Sequence, residues 1–464
     1  MLRRLPHSLA ALAAAAALLA PAPSAAQQRA LTVPVAYHRL PNGLRVVLSR
    51  DPASPTVAVA VYYNIGFRLE PKGRTGFAHL FEHMMFQGSR NLGKMEFIKL
   101  VEQNGGALNG STRFDFTNYY QVVPAGALRT ILWGEADRMR GLAIDQSNLD
   151  NQRDVVKNEV RVNVLNQPYG GFPWLDMPQA ANTNWHNAHN FYGDLGDLDA
   201  ANLDDVKAFF RTYYAPNNAV VAVVGDFEPA QALAWVTEYF GTIPAQELPA
   251  PPDLTEPEQV VEKRVRKEDR LATRPALALG YHVPERWTTD WFAFGLIDQL
   301  LAQGRDSWFY DEVVRRRGYA SGLSGGINVG LGNQFNYKGP MLWIVSAFHD
   351  AATPSDSLVG AMDAAIRRLQ ERPVDAATLE RARTKLRSSL YSAVESFSGF
   401  GRADLLASFA LFDDDPARLN TLEAGFAKVT PADVQAAAQK WLRPTNRTIL
   451  TVSPAAAPAA GGAQ

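Results

Sequence analysis

The sequence predicts an α+β chain: two homologous two-layer α/β-sandwich domains joined by a Pro/acidic linker. Three observations predict it. Strand-like and helix-like segments alternate over residues 30–243, and the same order returns more loosely over 263–454. Between them, over 244–262, PAQELPAPPDLTEPEQ is rich in proline and acid and reads as an exposed linker. A chain of 464 residues suits two domains of about two hundred residues each better than one. Hydrophobic content of 47% allows sizeable cores, and a sheet under long helices is a two-layer way to bury them.

The elements follow in order. MLRRLPHSLAALAAAAALLAPAPSAAQQ has two arginines, an alanine–leucine core and small residues Ser24, Ala25 and Ala26 before Gln27, so residues 1–26 read as a signal peptide. Its apolar run is short and broken by Pro21 and Pro23, and no later stretch is long and apolar enough to cross a bilayer. A secreted chain is expected, periplasmic if the host is Gram-negative, with no stable membrane insertion. YHRL-PNG-LRVVLSR predicts a hairpin and PTVAVAVYYNIG a buried strand. Helices are expected in GFAHLFEHM and KMEFIKLVEQNG. In GGALNGSTRFDFTNYY the paired glycines permit a tight turn, and Phe116–Val123 alternate as a strand does. ALRTILWGEADRMRG, SNLDNQRDVVKNEVRVNVLN and DDVKAFFRTYY read as helices, NAVVAVVG as a strand and EPAQALAWVTEYFG as a closing helix.

In the second half RPALALGYHVP and GPMLWIVSAFH read as strands flanking the helix TTDWFAFGLIDQLLAQG. Long helices through SLVGAMDAAIRRLQER and AATLERARTKLRSSLYSAV precede a last strand in NRTILTVSP. Residues 455–464, AAAPAAGGAQ, are low in complexity and read as a disordered tail. A net charge of −1 gives no electrostatic case for nucleic acid or an anionic membrane. With no cysteine, disulfides and thiolate ligands are excluded, which leaves histidine and carboxylate to hold any metal.

The chemistry concentrates in GFAHLFEHMMFQGS. His79 and His83 are four residues apart, one above the other on a helix, and Glu82 shares their face. Imidazole nitrogens suit zinc, and a carboxylate one residue before the second histidine can reach a metal-bound water. The order H-x-x-E-H is the inverzincin one. Thr75 is the expected N-cap, and Phe77, Leu80, Phe81 and Met84 fall on the opposite, core-facing side. The bland alternative is a solvated polar face that happens to hold two histidines. Glu159 lies downstream among Val155, Val156, Val160 and Val162, where an unpaired charge would be costly to bury. Zinc would supply its partner; an ordinary surface glutamate is the alternative. His186 and His189 sit in an Asn-rich loop, and His282 and His349 on strands read as core or surface residues.

The pentad, the QRDVVKNE segment and GGALNGSTRFDFTNYY between them resemble the insulinase/pitrilysin family of zinc metallopeptidases. The likeness is greatest to its short two-domain branch, which includes mitochondrial processing peptidase and bacterial periplasmic relatives. It covers nearly the whole chain after the leader and continues through NNAVVAVVGDFEPAQALAWVTEYFGTIP. The resemblance implies a catalytic zinc-binding domain over 30–243 and an inactive C-terminal domain of the same family over 263–454. It implies one zinc ion per chain on His79, His83 and Glu159, with Glu82 the general base that activates the zinc-bound water. The implied activity is that of a zinc metalloendopeptidase hydrolysing peptides or unfolded polypeptides in an enclosed chamber. Asn109 and Arg315 are the implied substrate-holding residues; for Asn109 the alternative is a simple turn residue after glycine.

Two departures from the family pattern stand out. Gln152 occupies the place, beyond the ligands themselves, where some members carry a second glutamate. Ser321 falls where a tyrosine follows the arginine, with Tyr319 close by. In the two-domain branch a partner can supply the missing half of the site, so the resemblance implies a dimer, the second subunit being a related chain that can lack zinc. The alternative function is a non-catalytic structural core subunit of a complex of related chains.

Overall fold

Two sheets of matching topology carry the fold. In a computed structural model residues 31–455 are described; the leader over 1–26 and the tail beyond Ala455 lie outside the described residues. The first sheet is built from β1 (Ala36–Arg39), β2 (Arg45–Arg50), β3 (Thr56–Tyr63), β4 (Ala107–Thr112), β5 (Thr117–Pro124) and β6 (Ala219–Gly225), hydrogen-bonded in the order β1-β2-β6-β3-β5-β4. The second holds β7 (Lys263–Asp269), β8 (Ala276–His282), β9 (Ser324–Ile327), β10 (Leu342–Phe348) and β11 (Arg447–Pro454) in the order β7-β11-β8-β10-β9. Without β1 the two orders are the same. β2 runs parallel to β6 as β7 does to β11, and the other pairs are antiparallel in both. The repeat that reads only loosely in the sequence is therefore strict in the strand pairing.

Each sheet lies under helices of its own half. In the first half these include α1 (Phe77–Met84), α2 (Glu96–Gln103), α3 (Leu128–Arg140), α4 (Gln146–Val160), α5 (Asp176–Ala181), α6 (Leu203–Tyr213) and α7 (Pro229–Phe240). In the second they include α8 (Thr289–Leu301), α9 (Ser355–Glu371), α10 (Ala376–Glu395), α11 (Phe400–Asp413) and α12 (Pro431–Trp441). Val57, Val59, Val61 and Tyr63 of β3 enter one core with Phe77, Leu80 and Phe81 of α1, Ile131 of α3 and Val236 of α7.

The other face of each sheet is covered by a helix from the opposite half, a layer that the alternation of elements does not reveal. On β3 the intervening residues Ala58, Ala60 and Tyr62 turn toward α11, where the Tyr62 hydroxyl donates to Asp404 Oδ1 at 2.6 Å. On β8, Ala276 and Ala278 share a core with Met177 and Ala181 of α5. A Cβ on Gly280 would lie 2.7 Å from Met177 Sδ, so any larger residue there would push Met177 out of its place. Apart from Tyr62, which reaches Asp404, the described face toward the other half carries small residues (Ala58, Ala60; Ala276, Ala278, Gly280), because a small side chain lets a covering helix approach. TVAVAVYY and ALALGYH place those small residues at every second position.

The sequence reading lacks α5, α12, β7 and β9, and also α11, the long helix that covers the first sheet. α11 is buried almost all round, from Gly401 to Phe412, so it shows no amphipathic stripe to find. The acidic linker is less free than its composition implies. It has no regular element between Phe240 and Lys263, yet the Glu256 carboxylate accepts from the backbone of Asn184 and from the side chain of Asn187. Among the described residues no helix is long and apolar enough to cross a membrane.

Candidate metal centre

The helix that carries the histidines is anchored by a buried acid. Gly76 precedes α1 in a left-handed turn, φ 80°, and offers no side-chain cap. Instead the Glu70 carboxylate accepts from the backbone N–H groups of Gly76 at 2.9 Å and Ala78 at 2.7 Å, filling the place of the missing cap. Thr75, expected as the N-cap, turns away and donates its hydroxyl to Asp197 Oδ2 at 2.7 Å; the glycine turn takes it out of capping register. Burial pushes the Glu70 carboxyl up, against the pull of His189 and the two backbone donors. His189 Nε2 stands 3.4 Å from it, so a histidine of the Asn-rich loop belongs to this anchor.

α1 and α4 bring three donor atoms together. His79 Nε2 and His83 Nε2 are 3.3 Å apart, and Glu159 Oε2 lies 3.6 Å from the first and 3.2 Å from the second. A tetrahedral zinc site with bonds of about 2.0–2.1 Å has ligand–ligand edges of roughly 3.3–3.4 Å. Two imidazoles and a carboxylate at these separations fit that ion. Among the described residues this is the one group of three or more His, Cys, Asp or Glu side chains spaced to hold a metal. Burial, reinforced by His83, lowers the pKa of His79 to about 4, so its ring is neutral and able to ligate near pH 7. Burial alone would raise Glu159, but the hydrogen bond from His83 and the charge of both rings bring it below its ordinary value. Val156 and Val160 are buried while Val155 and Val162 are 41% and 48% exposed, so the histidines rather than an apolar run account for Glu159.

Glu82 stands beside the cluster. Thr112 of β4 donates its hydroxyl to Glu82 Oε2 at 2.8 Å. Burial raises the Glu82 carboxyl above its ordinary value despite that bond, which makes it a better proton acceptor. Gly110 of β4 gives it room: a Cβ there would stand 3.3 Å from Glu82 Cγ.

A cavity of about 260 Å³ opens on these groups. Ser111, Arg113, Trp174, Phe191 and Tyr192 line it from the first half, Gly330 and Leu331 from the second. The second-half loop is held by buried contacts. Arg68 Nη2 donates to Pro340 O at 2.7 Å, Asp115 Oδ2 accepts from Lys338 N at 2.8 Å, and Arg68 and Asp115 pair at 3.4 Å. A larger cavity of about 690 Å³ lies between the linker and the second half, lined by Glu256, His282 and Trp441. The convergence of metal donors, not volume, locates the candidate site.

The remaining sequence candidates fall as follows. Asn109 lies in β4 paired with Tyr120, not in a turn, and its side chain accepts from Gly110 N. Among the described residues β4 pairs only with β5, so its other edge carries no strand. Gln152 is buried on α4 and donates to Asn151. Arg315 is exposed over the Tyr310 ring, and neither it nor Ser321 nor Tyr319 lines the cavity. Sequence reasoning missed Glu70, Thr112 and Tyr192, which have no spacing of their own; each acts through a neighbour that only folding supplies.

Residues 45–169 match the family model described as insulinase (peptidase family M16), and residues 200–386 match the peptidase M16 inactive domain. The chain is 27% identical over 419 residues to a protein from Helicobacter pylori named zinc protease PqqE, covering 89% of this chain and 92% of that one. It is 26% identical over 205 residues to human cytochrome b-c1 complex subunit 1, mitochondrial, covering 44% of this chain and 42% of that one. The crystal structure of a protease from Helicobacter pylori superposes with a TM-score of 0.83 at 25% identity, over 91% of this chain and 100% of the other.

Proposed function

The chain belongs to the insulinase family, peptidase family M16, and from that membership we propose that it is a zinc metalloendopeptidase acting on peptides or unfolded polypeptides. The observation that carries this reading is the convergence of His79, His83 and Glu159 beside a cavity whose wall His79 and Glu159 share with Glu82. His79, His83 and Glu159 would hold one zinc ion, which when bound lowers the pKa of water toward neutrality and polarises a carbonyl. Glu82 accepts a proton from the attacking water and passes it to the leaving amine, and Thr112 keeps its carboxylate turned to the cavity. The open edge of β4 takes an extended peptide by backbone hydrogen bonds, with Asn109 beside the metal end. Arg315 contacts the same peptide farther out, and Gln152 supports α4 without acting as a base.

In this reading residues 30–243 form the catalytic domain, 244–262 the linker and 263–454 an inactive domain that closes the cavity from above. Residues 1–26 are a cleaved leader, which directs the chain to the periplasm if the host is Gram-negative. A dimer, with a related subunit as partner, completes an enclosing chamber. A second reading, a structural core subunit, is favoured by the relative that is a subunit of the cytochrome b-c1 complex. Cleavage of a quenched fluorescent, unstructured peptide decides between them. Turnover abolished by a chelator and restored by zinc supports the peptidase; full zinc occupancy without turnover, alone or with a related subunit, supports the structural reading.

A further inference from the structure

We propose that Tyr192 is a positioning residue of the metal centre, its hydroxyl fixing Glu159 so that one carboxylate oxygen is presented to the two histidines. The proposal rests on the reading of Glu159 as a ligand.

The two oxygens of Glu159 have different partners. Oε2 faces His79 and His83, whereas Oε1 accepts from the Tyr192 hydroxyl at 3.3 Å. A carboxylate tied at one oxygen offers the other to a metal in a single orientation; an untied one can rotate or spread both oxygens over the ion. The π-turn Arg161–Leu165 continues α4 directly after the ligand, an irregularity common where a helix serves a site.

Tyr192 also touches the other ligand helix. Its ring stands edge-on to His79, centroids 5.2 Å apart. Its backbone is pressed against the start of α1: a Cβ on Gly76 would lie 2.5 Å from Tyr192 O, and one on Gly193 would lie 2.2 Å from Gly76 N. One short segment therefore braces α1 by backbone contact and α4 by a hydrogen bond, with the metal site between them. A tyrosine that merely filled space would need only one of these contacts.

The test uses the full chain with Tyr192→Phe, which removes the hydroxyl and keeps the ring. The zinc dissociation constant is read by chelator competition, and the ligand field by visible absorption of the cobalt(II)-loaded protein. Weaker zinc binding by about 10–100-fold, with shifted cobalt bands and an unchanged metal-free melting temperature, is the expected result. Tyr62→Phe is the matched control, since Tyr62 also gives its hydroxyl to a half-buried carboxylate, Asp404, away from the cluster. Wild-type affinity and spectrum in Tyr192→Phe, or an equal loss in Tyr62→Phe, would overturn the proposal. Because no peptide is cleaved in this experiment, a wild type that holds zinc without turnover leaves the result standing. A wild type that binds neither metal overturns both readings.

Discussion

α1 and α8 hold corresponding places: each follows the central strand of its sheet, β3 or β8, and precedes the edge strand, β4 or β9. They differ in what they do with their second face. α1 is short, buries Phe77, Leu80, Phe81 and Met84 on one side, and leaves Glu82 and His83 half-buried on the other, with Glu82 on the cavity wall. α8 is buried from Ala293 to Leu301 without interruption. Its acidic residue, Asp298, is sealed inside, accepting from Trp343 Nε1 at 2.6 Å and Gln303 Nε2 at 3.1 Å. The same scaffold thus yields a reactive wall in one half and a core in the other. The difference lies in which side chains face the cavity, and that is set by a few positions rather than by topology.

The largest effect expected from this comparison is at the ligands. His83→Ala leaves two donors where a stable site needs three, so zinc content by metal analysis should fall to background and turnover with it. Removing the acid of α8 by Asp298→Asn should leave zinc content unchanged. Loss of zinc from Asp298→Asn would break the contrast.

Next in size is an opposition in pH dependence. The metal-free His79 has a pKa of about 4 against an ordinary 6.5. As pH falls through that window the unfolded chain takes up a proton that the folded site refuses, so stability is lost on acidification, by about 3 kcal/mol. Burial raises Asp298 from 3.8 to about 6. There the folded chain keeps a proton that the unfolded chain has released, so its contribution is lost as pH rises from about 4 to 6, again about 3 kcal/mol. Asp298→Asn, which can still accept from Trp343, should therefore stabilise the chain at pH 7 and have little effect at pH 4 in denaturant titrations. Equal effects at both pH values would contradict the assignment.

The exchange of covering helices gives a third test. Met177 belongs to the first half but is buried against β8 of the second. Met177→Ala should cost about 2–4 kcal/mol in global stability, in a single unfolding transition, with zinc affinity retained. Two separated transitions would show that the halves do not share their cores. Smallest of all, Gly110→Ala crowds Glu82 by a few tenths of an ångström; a fall in kcat of a few-fold, at unchanged zinc affinity, is expected.

The legible parts of this molecule are those written in local spacing. His79, Glu82 and His83 could be placed on one helix face from a five-residue pattern, and the central strands from their apolar runs. Glu159 was reachable only because a downstream helix carried a matching acid. Glu70, Tyr192 and α11 were not legible, and for a common reason: each is defined by contact with a distant segment. Glu70 caps a helix from outside it, Tyr192 reaches across to α4, and α11 is buried on nearly every side because another half's sheet covers it. Gly110 and Gly280 fall in the same class, being small only because Glu82 and Met177 approach them.

The central claim is that the first half performs peptide hydrolysis with Glu82 as the base on a metal held by its neighbours. The most direct measurement is turnover of an unstructured peptide by zinc-loaded Glu82→Gln beside the wild type, with zinc quantified in both. A wild type that cleaves, and a variant with full zinc and turnover reduced by about 10²–10⁴-fold, is the predicted outcome. A variant that holds zinc and cleaves at the wild-type rate would contradict it.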